Sequence, residues 1–130
     1  MDQGGEFMQQ IPETLIKECR TKLLTAKMDL LNRVKESRSD LHQEDKGGDE
    51  ADQTVRVLAE AEFLSMHERL RFQLTEIEAA LSRIESGGFG ICEETEEYIE
   101  HERLRAIPWT RLSIEGAEIR ESMNKKYARS

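Results

Sequence analysis

The sequence predicts a mainly α-helical protein: a long antiparallel two-helix coiled-coil hairpin, then a small globular module with a degenerate zinc-finger-like knuckle and a C-terminal helix. Two observations carry the hairpin. Apolar residues recur every three or four positions along two long stretches, and a short polar turn containing Gly47 and Gly48 joins them. A third carries the module: residues 91–116 keep the spacing of a four-ligand zinc frame while most of its ligands are replaced.

Residues 1–7 read as an added leader outside the fold, with Met8 as the natural start. Pro12 suits a helix start, where its missing N–H leaves no bond unmade. From there Ile16, Cys19, Leu23, Ala26, Leu30, Val34, Ser37 and Leu41 form a seam that places the first helix at about 12–42. Polar Ser37 and the following Arg38-Ser39-Asp40 weaken it towards its end. Asp49 suits the cap of the second helix, and Asp52 adds negative charge near the positive end of its dipole. The second seam, Val55, Ala59, Phe63, Met66, Leu70, Leu74, Ile77, Leu81 and Ile84, runs until Gly87 and Gly88 stop the helix at about 86. Residues 8–86 then form one hairpin with its tip at 43–54. At about 1.5 Å rise per residue the second helix spans roughly 55 Å, far beyond any body so small a chain can build.

Residues 87–130 form the second unit. Two short clasps, Cys92-x2-Thr95 and Ser113-x2-Gly116, flank residues 96–112. A C-x2-C pair at each clasp would hold zinc; here Cys92 alone offers a thiolate. Thr and Ser hydroxyls stay protonated near neutral pH, and Gly116 has no ligand side chain. Adding His101 would make only two ligands, so no cofactor is expected and structural zinc least of all. Hydrogen bonds among the small polar residues, with packing of Trp109, Ile107 and Ile114, are expected to replace the metal. Cys92 reads as a buried small hydrophobe rather than a redox sensor. Residues 91–100 suit a small hairpin with Ile91 and Ile99 inward; Glu93, Glu94, Glu96, Glu97, Glu100 and Glu102 crowd this knuckle as a solvated acidic face, the alternative being a contact with a basic rim of a partner. Pro108 breaks the chain before a last helix at about 113–127. The expected core gathers Leu15, Ile84, Phe89, Ile91, Ile99, Leu104, Ile107, Trp109, Leu112, Ile114 and Ile119.

Composition excludes several function classes. Of 130 residues 37% are hydrophobic, 5% aromatic and 35% charged, too polar a mixture for a large globular core. A net charge of −8 disfavours broad nucleic-acid binding and an anionic membrane surface, and permits a basic protein partner. Two distant cysteines, Cys19 and Cys92, suit a reducing cytoplasm. No nucleophile–base pair, phosphate loop or metal triad stands out, so no catalytic residue is assigned. Asp49 and Asp52 as an acid–base pair would lack a pocket to shift their pKa values.

The turn Gly47-Gly48-Asp49-Glu50-Ala51-Asp52-Gln53-Thr54, the helix to residue 86, the junction Phe89-Gly90-Ile91-Cys92-Glu93 and the clasp frame, in that order, resemble the DksA/TraR family of bacterial RNA-polymerase-binding regulators over about residues 15–122. The family's tip signature, D-x-x-D-x-A, stands here as Asp49-x-x-Asp52-x-Thr54, so its last position departs. The resemblance implies that the hairpin enters the polymerase secondary channel and that Asp49 and Asp52 act at its tip; Arg69 and Arg103 are candidate polymerase contacts, the alternative being arginines solvated among glutamates. It also implies that three basic positions of the family's ppGpp site fall on Glu76, Ile107 and Ala117. None can pair with a phosphate and Glu76 would repel one, which argues against an alarmone site of the usual type or for a weakened one.

The leading expectation is therefore a cytoplasmic, monomeric, non-enzymatic transcription regulator acting without sequence-specific DNA binding. A Gre-like factor that delivers metal for transcript cleavage is one alternative. A coiled-coil adaptor whose seams dimerise is the other.

Overall fold

Two helices of 34 residues each make the hairpin: α1 (Glu13–Lys46) and α2 (Gln53–Ser86). The structure is a computed structural model and describes residues 10–46 and 53–129, with backbone alone for 38–46 and 129. Its register is visible in two ion pairs. Arg20 meets Glu85, and one heptad further along α1 Lys27 meets Glu78, one heptad earlier in α2. The order reverses between the helices, so they run antiparallel.

The seam is best filled near the finger. Leu15, Cys19 and Leu23 of α1 and Ile77 and Ala80 of α2 are almost wholly buried, and Leu30 and Leu70 continue the core outward. Ile16, Ala26, Val34, Met66, Leu74, Leu81 and Ile84 are partly buried against them. Each fully buried leucine contributes about 2 kcal/mol of transfer free energy. Val55, expected on the seam, is 63% exposed. It sits in the first turn of α2. Val57, Leu58, Leu64 and Phe72 also face outward.

α2 stops at Gly87, whose φ of 89° is left-handed, and the Gly88 N–H returns to the Arg83 carbonyl at 2.9 Å. Gly90 also has positive φ, and a Cβ there would stand 2.6 Å from Ile11 Cγ1. The chain just ahead of α1 thus closes over the junction. Beyond it comes a knuckle whose Ile91 and Tyr98 form an antiparallel bridge, with the Cys92 N–H on the Glu97 carbonyl at 2.8 Å. A short helix that the sequence did not announce, α3 (His101–Ala106), packs Leu104 against α1. The last helix is α4 (Ile114–Arg129).

Four expected core residues lie elsewhere. Ile91 is 41% exposed while Cys92 and Ile99 are buried. Neighbours along an extended strand face opposite ways, so turning Cys92 inward turns Ile91 out. Trp109 borders a groove with Leu30 and Ile77 on the hairpin instead of filling the finger. Ile114, the first residue of α4, is 49% exposed, so neither it nor Trp109 supplies the packing expected to stand in for a metal. Ile119 too lies outward.

Candidate functional site

The four clasp positions come together at the start of α4. Ser113 caps that helix, its Oγ accepting the Gly116 N–H at 3.0 Å. The same hydroxyl donates to Cys92 Sγ at 3.4 Å, and the Thr95 N–H donates to that sulfur at 3.5 Å. Thr95 Oγ1 accepts the Glu97 N–H at 3.3 Å, which steadies the turn. Burial of Cys92 pushes its thiol up. Hydrogen bonds from the Ser113 and Thr95 side chains and backbone together outweigh that and bring it from 9.0 down to about 7. Cys19, by contrast, is raised by burial and by Glu18 beside it.

These residues do not fit zinc. Cys92 is the single thiolate donor, Ser113 is committed to the cap, and a Cβ on Gly116 would collide with Cys92 Sγ. Among the described residues no group of three or more His, Cys, Asp or Glu side chains could hold a metal ion. The expected hydrogen bonds are present; the expected apolar packing is replaced by ion pairs.

Arg111 carries the largest share of those pairs. Its Nε and one terminal nitrogen take both oxygens of Glu76 on α2, at 2.8 and 3.2 Å, and its other nitrogen takes Glu93 of the knuckle at 2.8 Å. Its hydrogen bonds to Glu76 and Glu93 raise its pKa further above an already high value. Arg120 of α4 meets Glu93 at 3.6 Å and Glu94 at 2.9 Å. Glu100 accepts the Ile114 N–H at the start of α4, and Glu102 pairs with Arg105. Four of the six knuckle glutamates expected to be simply solvated therefore have protein partners. Glu76 does not stand as a bare repulsive charge either.

The finger is fastened to α1 as well. Cys19 Sγ reaches the Leu104 carbonyl at 3.5 Å, Lys22 Nζ reaches the Arg105 carbonyl at 2.8 Å, and Arg105 meets Glu18. Arg69 is exposed, bonded to Ser65, and lines a groove with Arg33, Glu36, Ser37, Met66, Leu70 and Gln73. Arg103 spends its Nε on the Leu112 carbonyl at 2.8 Å. Thr54 is exposed in the first turn of α2, whereas Asp49 and Asp52 lie outside the described residues. No described helix is long and apolar enough to cross a membrane.

Sequence reasoning missed the Ser113 cap, although a serine just ahead of a helical stretch is its usual signal. It also missed Arg111 and Arg120, which no local spacing ties to Glu76, Glu93 or Glu94.

Comparison with known proteins agrees with this architecture. Residues 87–122 match the prokaryotic dksA/traR C4-type zinc finger. The chain is 36% identical over 109 residues to the RNA polymerase-binding transcription factor DksA of Caulobacter vibrioides, covering 83% of this chain and 77% of that one. An uncharacterized protein of Aquifex aeolicus is 34% identical over 117 residues, covering 87% and 81%. The structure of transcription factor DksA2 from Pseudomonas aeruginosa superposes with a TM-score of 0.81 at 29% identity, covering 94% of this chain and 98% of that one. With a hairpin and a finger frame in the same order, and identity extending through both, the chain belongs to the DksA/TraR family.

Proposed function

We propose that this protein is a non-enzymatic transcription regulator that binds RNA polymerase, inserts its hairpin into the secondary channel and modulates initiation through Asp49 and Asp52. The observation that carries the reading is the internally closed hairpin seated on a small finger, in a chain related along most of its length to a factor named for binding RNA polymerase. A rod two helices thick enters where a globular domain cannot, and carboxylates at its end suit a basic, magnesium-bearing site. Thr54 adds a hydroxyl and a β-branch beside them. Packing of the two seams on each other within one chain supports a monomer over a dimerising adaptor. Arg69, exposed on a groove, is offered as a polymerase contact; Arg103 is the weaker candidate because it already holds Leu112.

The usual alarmone chemistry is not reproduced. Glu76 is occupied by Arg111, and Ile107 and Ala117 carry no charge, so ppGpp is not expected to act through this subunit. Asp49→Asn with Asp52→Asn tests the tip. Binding to polymerase should persist while the effect on initiation falls; unchanged transcription would remove the tip from the mechanism. A transcript-cleavage assay on stalled complexes separates this reading from a Gre-like factor.

A further inference from the structure

The finger meets the hairpin through two different chemistries on two different helices. On α1 the centre of the contact is apolar, with Leu15, Cys19 and Leu23 buried together with Leu104 and Phe89; Lys22 on the Arg105 carbonyl and Arg105 on Glu18 lie at its exposed edge. On α2 it is polar. Glu76 takes the fork of Arg111, and Arg83, seven residues on and so on the same helix face, donates to the carbonyls of Trp109 and Thr110, each at 3.4 Å. Segment 109–111 is thus bolted to α2 by charged side chains. Trp109, the large apolar residue in that segment, is 38% exposed and adds little buried area there.

The two attachments answer differently to solvent. Salt leaves apolar burial intact or strengthens it, while it screens ion pairs that reach water. Glu76 and Arg111 keep 18% and 33% of their side-chain surface exposed. The finger also has ties of its own: Cys92, Thr95, Ser113 and Gly116 are joined by hydrogen bonds of 3.0–3.5 Å, and Arg111 holds Glu93 within it.

We propose that Glu76 and Arg83 of α2, gripping Arg111 and the carbonyls beside it, form an ionic latch that sets the angle between hairpin and finger. The apolar contact on α1 serves as its pivot. Rising ionic strength opens the latch while the finger stays folded. The effect is magnified by length: from Glu76 to Gln53 is about 35 Å of helix, so a 10° swing about the pivot moves the start of α2 by about 6 Å.

Residual dipolar couplings of the full chain in a stretched neutral gel test this, because they report orientation directly. At about 0.1 M salt one alignment tensor should fit the amides of residues 13–37, 53–86 and 89–116 together. In Glu76→Gln/Arg83→Gln, and in the unaltered protein at about 1 M salt, the finger should require its own tensor while amide shifts of residues 92–95 and 113–116 hold. A single tensor persisting in the double variant would overturn the latch. So would collapse of the finger's amide shifts in that variant, since the pairs would then be part of the finger's foundation.

Discussion

Gly116 lies directly against the sulfur of Cys92, so closely that a Cβ at position 116 would overlap Sγ. In a four-cysteine finger both positions would carry ligands pointing at a shared ion. Here one side chain has been removed, and the other, with the Ser113 hydroxyl, occupies the centre. The closure of the knuckle on α4 has passed from coordination bonds to a cap and two hydrogen bonds to sulfur.

Gly116→Ala should therefore destabilise the protein by about 1–3 kcal/mol, the usual cost of overpacking a filled interior. Urea unfolding checks it through a lower midpoint at unchanged slope. A midpoint equal to that of the parent would mean the sulfur moves aside freely.

Ser113→Ala should act on stability and on the thiol together. Loss of the cap costs about 1 kcal/mol. Loss of the hydrogen bond to Sγ should move the Cys92 pKa upward from about 7. Thiolate absorbance against pH, compared with a Cys92→Ser blank, reads the second effect.

Stability should also rise with pH between 7 and 9 because of Cys92. Its folded value, about 7, is below its ordinary 9.0, so the fold favours the thiolate. That contribution is complete above the ordinary value and is lost as pH falls through the folded one. Full burial of the sulfur works against the charge, which keeps the gain under about 3 kcal/mol. Chemical denaturation at pH 6.5, 8 and 9 should show the rise in the parent and a flat response in Cys92→Ser.

Glu96→Gly should stabilise the knuckle. Glu96 has a φ of 62°, the one positive value outside glycine among the described residues. Left-handed backbone costs a side-chain-bearing residue about 1 kcal/mol that glycine avoids. Part of this is offset by glycine's greater freedom when unfolded, so the expected gain is about 0.5 kcal/mol, seen as a raised melting temperature.

Whether a side chain faces the seam or solvent should decide the cost of losing it. Leu23→Ala, at 0% exposure, is expected to cost about 2–5 kcal/mol. Val57→Ala, at 62% exposure, should change stability by less than about 0.5 kcal/mol. Paired thermal melts of the two variants check both values.

The helical hairpin was legible because its signal is repeated. Cys19, Leu23, Leu30, Leu70 and Ile77 each restate one period, and a slip at any of them is corrected by the rest. Val55 misled because it matches the period but stands in a first turn. The finger offered no such redundancy. Over residues 89–116 a few side chains face in or out according to a single bridge and a six-residue helix, so Ile91, Trp109 and Ile114 were placed inward on hydrophobicity alone. The clasp spacing identified Cys92, Thr95, Ser113 and Gly116 as neighbours, yet the Ser113 cap had to be seen in place. Arg111 lies 35 positions from Glu76 and 18 from Glu93, a pairing that only the folded chain displays.

Side-chain coverage along the seam falls outward: complete at Leu23 and Ala80, near complete at Leu30 and Leu70, partial at Val34, Met66 and Phe63, and sparse at Val55. Mechanically this is a tapered cantilever. Its root resists bending, and compliance gathers in the outer half of α2. Amide protons there should exchange with solvent sooner than those beside the finger. A binding partner could then deflect the outer half without disturbing the root, so steering and anchoring are divided between the two ends of one element.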